Sequence, residues 1–210
     1  MKETTLTIEQ IETVITCYPD SPFFVRRNLV VPNCNWGFLN HEADLLVMSK
    51  ARYLTEIEIK RTWADFMADF KKKHTHYDRK LSHFYYAVPL SIGERVFNWL
   101  YEGTYRCRAT SILHYEHSEV TGYTNNNPNK CGLIIYASNE EVQAMREVRV
   151  GTCCINVAAK RMGDHKVTED EEKKLLRLLG LRVWGLKSKI AKLQEQMTDK
   201  TNNDNENKNN

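Results

Sequence analysis

No stretch of this sequence runs for about 18 apolar residues, which excludes a membrane-spanning helix, although 41% of its 210 residues are hydrophobic. The opening MKETTLTIEQ is polar and acidic and lacks an apolar leader, so a cytoplasmic location is the expectation. Six cysteines are present (Cys17, Cys34, Cys107, Cys131, Cys153 and Cys154), yet none falls in a CxxC pair or a CxxH spacing. A structural zinc site shows itself by such spacing, so free thiols buried as small hydrophobes are expected instead. Charge of one sign is missing too: 30 Lys and Arg oppose 27 Asp and Glu, and a net +3 identifies no partner. There is no internal repeat. What remains is a chain of ordinary domain size, long enough to bury a core.

Periodicity organises most of that length. Thr7-Ile8-Glu9-Gln10 reads as a capping box opening a short helix, with Ile8, Ile11, Val14 and Ile15 as its buried stripe and Glu12 at the stripe's edge. Residues 24–31 read as a strand, and 44–48 and 53–60 as two more joined by 49–52. A helix is expected over 63–74, with Thr62 as its cap and Trp63, Phe66, Met67 and Phe70 facing inward. HFYYAV at 83–88 suits a strand covered on both faces. A helix starting near Ser91 carries Val96, Trp99 and Leu100 inward, LIIYA at 133–137 is another buried strand, and a further strand is expected near 142–147. Residues 103–130 show no readable pattern and end in the loop-like GYTNNNPNK. Thr168 to Glu171 open a last helical region, where Val183, Leu186, Ile190 and Leu193 have heptad-like spacing, a seam for a homodimer or for packing on the domain itself. One domain over 1–197 is expected, with the asparagine-rich 198–210 disordered.

The chemistry concentrates between His41 and Lys73. Strand alternation puts Glu56, Glu58 and Lys60 on one face and Ile57 and Ile59 on the other. A half-exposed strand produces such a string routinely. Here, however, Asp44 precedes it in a strand-turn-strand context, and the paired glutamates concentrate like charge that a cation would relieve. Beyond the lysine, residues 60–80 hold Lys60, Arg61, Lys71, Lys72, Lys73, Arg79 and Lys80 against Asp65, Asp69 and Asp78, a local excess suited to a phosphate backbone. An acid followed by acid-x-Lys is what a magnesium-dependent phosphodiesterase needs: hard oxygen ligands for the metal and an ammonium beside them.

With these residues in view, the chain resembles the PD-(D/E)xK nuclease superfamily, and within it the MmcB-like DNA-repair proteins. The resemblance rests on EADLLVM, YLTEIEIK, TWADFMADFK, HFYYAVP and CGLIIYA and spans the chain to about residue 190, with 90–130 as a probable insertion. It implies an α/β, restriction-endonuclease-like fold: a central mixed β-sheet flanked by helices, with a C-terminal helical region. Asp44 matches the first acidic ligand, preceded by Ala43 where the superfamily has proline. Glu58 and Lys60 match the E-x-K element, and Asp65, Asp69 and Lys71 match D-F-x-x-D-x-K on the following helix. Glu12 is the candidate for an acid that some members supply from their first helix.

The resemblance implies Mg²⁺ or Mn²⁺ on Asp44, Glu58 and the main-chain carbonyl of Ile59, with Glu42, Glu56 and Glu12 as candidate extra ligands and Lys60 as the group that orients the attacking water. Arg61, Lys71, Lys72 and Lys73 would hold DNA, and Asp65 and Asp69 would support the ligands; Asp69 also has a purely structural partner in Lys73. Burial would depress the Lys60 pKa and neighbouring carboxylates would oppose that. His74 and His76 read as loop or surface residues. The expected activity is therefore DNA hydrolysis in repair. The alternatives are a non-catalytic DNA-binding or scaffold protein with the same fold, and a helical interaction protein in which the acidic cluster is only structural.

Overall fold

Thr7 opens the first helix through a closed capping box: its hydroxyl accepts from the Gln10 N–H at 3.3 Å, and the Gln10 side chain accepts the Thr7 N–H at 2.8 Å. The computed structural model describes residues 6–19, 21–34, 37–72, 76–107, 116–127, 129–137 and 152–206. In chain order the elements are α1 (Ile8–Thr16), β1 (Leu29–Cys34), β2 (Ala43–Met48), β3 (Leu54–Ile59), α2 (Trp63–Asp69), β4 (Leu81–Pro89), α3 (Leu90–Leu100), β5 (Tyr101–Thr104), β6 (Glu119–Tyr123), β7 (Gly132–Ala137), β8 (Thr152–Val157) and α4 (Glu169–Glu206). The chain forms two compact units, Met1–Thr168 and Glu169–Asn210, so the domain expected over 1–197 divides after Thr168.

The first unit is α/β. Its main sheet has six strands in the order β1-β2-β3-β4-β7-β8. β3, β4 and β7 run parallel, while β1, β2 and β8 are antiparallel to their neighbours, so the sheet is mixed. β5 and β6 form a separate two-stranded sheet.

Alternation along the strands sorts two cores. Phe84, Tyr86 and Val88 of β4 join Leu133 and Ile135 of β7 under Phe66 of α2 and Val96, Phe97 and Leu100 of α3. Tyr85, Ala87, Ile57, Ile59, Ile134 and Tyr136 face the other way, against Ile11, Val14 and Ile15 of α1. Each such fully buried side chain contributes roughly 1.5–3 kcal/mol relative to exposure. Gly132 is required where β7 passes Tyr85: a Cβ there would lie 2.2 Å from the ring and 2.7 Å from the Ala159 nitrogen.

Several boundaries differ from the sequence reading. Residues 24–28 form turns, and the first strand starts at Leu29 and takes in Pro32, Asn33 and Cys34. α2 stops at Asp69 rather than 74, winding up through Lys71 N–H to Ala68 O and Lys72 N–H to Asp69 O. The shortening has a cause in the site, because His76 must return to Asp69 and Glu56. Lys73, His74 and the strand expected at 142–147 lie outside the described residues. β8 at Thr152–Val157 carried no signal that periodicity isolated.

The second unit is α4, 38 residues long, with Glu169, Asp170, Glu171 and Glu172 in its first turn, where the helix dipole favours acids. It continues to Glu206, past residue 198, where composition led us to expect disorder. Once a helix is nucleated each added residue gains a backbone hydrogen bond, which carries a polar sequence along. Val183, Leu186, Ile190 and Leu193 are all exposed.

Candidate active site

β3 is the element on which everything turns. Ile57 and Ile59 anchor it in the core against α1, which leaves Glu56 and Glu58 on the opposite face with Lys60 just beyond the strand end. That face is not half-exposed. Glu56 is 0%, Glu58 6% and Lys60 3% exposed, so each charge must find a partner inside the protein.

The partners form one connected network. Lys60 Nζ donates to Glu58 Oε1 at 2.8 Å and to Asp69 Oδ1 at 3.0 Å. Lys72 Nζ lies 2.7 Å from the same Asp69 oxygen and 3.9 Å from Glu58 Oε1. Asp69 Oδ2 accepts from the Tyr86 hydroxyl at 2.9 Å and from His76 Nε2 at 2.6 Å. The other nitrogen of His76 lies 2.7 Å from Glu56 Oε1, and His41 Nε2 lies 2.7 Å from Glu56 Oε2. With a carboxylate against each nitrogen, His76 satisfies both only as the doubly protonated imidazolium. Its ring stacks on Phe84 at 4.7 Å, which fixes its plane. Asp44 stands at the other end, its Oδ2 accepting the Ile59 N–H at 2.8 Å.

Electrostatics divide the four acids into two kinds. Burial alone would raise the Glu56 carboxyl, but hydrogen bonds from His41 and His76 hold it below its ordinary range. Asp69 is likewise held far below its range, because His76, Lys72 and Lys60 outweigh its burial. Asp44 and Glu58 go the other way. Burial raises Asp44 against the opposing Ile59 N–H and Lys60. Burial raises Glu58, Asp44 adds to it, and Lys60 only partly offsets both. Among the described residues, Glu58 Oε2 is buried with no hydrogen-bond partner.

The cations respond in kind. Burial pulls Lys60 down, but Glu58 and Asp69 overcome it and hold the ammonium above its ordinary value; the depression considered from sequence does not occur. Against the same penalty, Asp69 and Glu56 lift His76 to about 9. Burial and Asp69 keep the Tyr86 phenol protonated.

Among the described residues, two groups of side chains bring metal-ligating atoms within 4.8 Å of one another, His41/Glu56/His76 and Glu58/Asp69/His76. Both include His76, whose nitrogens are already engaged, and both include a carboxylate that is already neutralised. The acids short of positive charge are Asp44 and Glu58. A hard divalent cation placed there would have the Asp44 carboxylate and the unpaired Glu58 oxygen as its donors.

The other sequence candidates separate. Glu12 comes in from α1: burial, Glu9 and Asp44 raise its carboxyl to about 7. Asp65 is exposed and accepts the Arg61 N–H at 3.2 Å, ending up as part of the α2 cap. Lys72, expected from sequence at DNA, pairs with Asp69 while staying half-exposed. Asp69 pairs with Lys60, Lys72 and His76; the Lys73 expected to pair with it lies outside the described residues. Arg61 and Lys71 stay exposed, and Glu42 is exposed just before β2. His41 and His76 are the residues the sequence reading missed, and His76, 8% exposed, is no surface residue. The available signal was indirect: three acids and one lysine on a buried face need more positive charge, and HTHYD was near enough to supply it.

No family model and no curated protein matches this sequence. A solved structure, the SPO1766 protein of unknown function from Silicibacter pomeroyi, is 13% identical and covers 86% of this chain and 88% of its own, with a TM-score of 0.47. At that level it carries no argument about fold or activity.

Proposed function

We propose that the protein is a metal-dependent nuclease that hydrolyses DNA phosphodiesters, with Asp44, Glu58 and Lys60 as its centre. The observation that carries this reading is the division among the buried carboxylates. Glu56 and Asp69 are neutralised from within, whereas Asp44 and Glu58, on adjacent strands, have raised pKa values and Glu58 keeps an unpaired oxygen. Such a pair costs stability until a cation joins it. Mg²⁺ or Mn²⁺ on Asp44, Glu58 and the Ile59 carbonyl would supply a more acidic bound water and neutralise charge on the phosphate.

This chain's own residues do the rest. Lys60, held as an ammonium by Asp69, orients the water and balances charge developing on the phosphoryl oxygens. His76 and Tyr86 fix Asp69, so Lys60 keeps one position. Arg61 and Lys71, exposed beside the centre, are free to meet the DNA backbone. The mixed sheet with Asp44 and Glu58 on adjacent strands supports the restriction-endonuclease-like version of the fold. A cytoplasmic role in DNA repair belongs to the same reading.

The test is cleavage of labelled duplex, single-stranded and branched DNA with Mg²⁺ or Mn²⁺, comparing wild type with Asp44→Ala and Lys60→Ala and a chelator control. Cutting that needs metal and disappears in both variants supports the centre. Salt-sensitive binding with no cutting moves the assignment to a DNA-binding or scaffold protein. Cutting that survives both substitutions refutes the site.

A further inference from the structure

One residue beyond Lys60 the chain borders a groove of about 670 Å³, within the range of small-ligand sites. Arg61 and Trp63 line it from the start of α2, Ser91, Glu94 and Arg95 from α3, and Tyr105 closes one side. α2 follows β3 and α3 follows β4, and these two strands are parallel neighbours. The groove therefore lies where ligands collect in α/β sheets, outside the carboxyl ends of parallel strands.

Its lining is specific. Arg61 and Arg95 outnumber Glu94, and the first turn of α3 adds N–H groups that have no acceptor within the helix. The residue capping that helix, Pro89, makes no side-chain hydrogen bond to it. These groups suit a phosphate. Beside them the Arg95 guanidinium lies 3.9 Å above the centre of the Trp63 ring. Trp63 is itself braced by Phe66 at 5.4 Å and Trp99 at 5.9 Å, so the guanidinium rests on a fixed surface. Arg95 is exposed, and a nucleobase stacks on a guanidinium plane. A base inside a duplex is already stacked on both sides and cannot.

We propose that this groove binds one unpaired nucleotide of a DNA strand, its phosphate at Arg61, Ser91 and the first turn of α3 and its base on the Arg95 plane backed by Trp63. The inference rests on the nuclease reading for its place beside the scissile bond; the binding itself needs no metal.

The test is fluorescence anisotropy in chelator with a labelled oligothymidylate of about a dozen nucleotides, an abasic strand of equal length and a blunt duplex. Wild type should bind oligothymidylate about 10-fold more tightly than the abasic strand. Arg95→Ala and Arg95→Lys should both lose that factor, since lysine restores charge but not a plane. Equal affinity of wild type for the base-bearing and abasic strands overturns the proposal, as does full recovery in Arg95→Lys or a preference for blunt duplex. The two readings fail separately. Base-dependent binding without cleavage by any metal-loaded form leaves the groove and removes the nuclease; cleavage without base-dependent binding does the reverse.

Discussion

His76→Gln is the perturbation that tests the buried network most directly. The imidazolium sits between Glu56 and Asp69 at 2.7 and 2.6 Å, and the lift of its pKa from 6.5 to about 9 corresponds to about 3 kcal/mol at 1.36 kcal/mol per pH unit. That agrees with the ~3–5 kcal/mol seen when one partner of a buried ion pair is removed. The sign follows from proton binding. Between pH 6.5 and 9 the folded protein holds a proton that the unfolded chain has released, so this stabilisation is complete below 6.5 and is lost as pH rises through 9. Glutamine keeps a hydrogen-bonding amide and carries no charge. Urea unfolding in chelator, followed by circular dichroism, should show the variant about 3 kcal/mol less stable near pH 6, with the gap shrinking until about pH 10. A gap that stays constant across that range, or one that is absent at pH 6, would refute the charged bridge.

Other outcomes follow from individual contacts. Glu12 is raised to about 7 by burial, Glu9 and Asp44, so ionising it opposes folding above that pH; Glu12→Gln should stabilise the metal-free protein at pH 8 by about 1 kcal/mol after allowance for screening, or about 2–4 °C in Tm, and do nothing at pH 4.5. Thermal melts decide it, and added Mg²⁺ should favour wild type. Gly132→Ala places a Cβ 2.2 Å from the Tyr85 ring and should cost about 1–3 kcal/mol in urea unfolding; an unchanged midpoint would mean that β7 shifts freely. Val183, Leu186, Ile190 and Leu193 of α4 are exposed at heptad-like spacing. If they form a seam for a second copy, wild type should sediment as a dimer and Leu186→Lys/Ile190→Lys as a monomer, whereas identical sedimentation rules the seam out.

How far the sequence could be read depended on the range of the contact involved. Local signals held: the Thr7 capping box, the Thr62 cap whose hydroxyl accepts the Asp65 N–H at 3.1 Å, and the two-faced burial of β4 all follow from residues within a few positions of each other. Asp44, Glu58 and Lys60 lie on or next to the paired strands β2 and β3 because alternation and a short turn confine them. The rest of the site is assembled across longer gaps. His76 reaches Glu56 over 20 residues and Tyr86 reaches Asp69 over 17, and no periodicity encodes either meeting. α2 ends at Asp69, the residue to which His76 returns and on which the half-exposed Lys72 also closes. The small sheet of β5 and β6 escaped for a different reason: β6 buries none of its residues fully, so it carries no apolar pattern.

Burial also makes the members of the centre unequal when they are removed, which matters for reading any loss of cleavage. Lys60 bridges Glu58 and Asp69, at 2.8 and 3.0 Å, so Lys60→Ala strips a cation from beside two buried carboxylates and should destabilise the fold by ~3–5 kcal/mol. Asp44 is the opposite case. Its carboxyl is raised by burial and in turn raises Glu58 and Glu12, so Asp44→Asn removes repulsion while keeping shape and should leave the metal-free protein at least as stable as wild type. If Asp44 serves metal rather than folding, cleavage and metal-induced stabilisation vanish in a variant whose own melt has not fallen. A fall in the metal-free melt of Asp44→Asn would instead mean that the carboxylate is held for the Ile59 N–H it accepts, and the case for a cation between Asp44 and Glu58 would go with it.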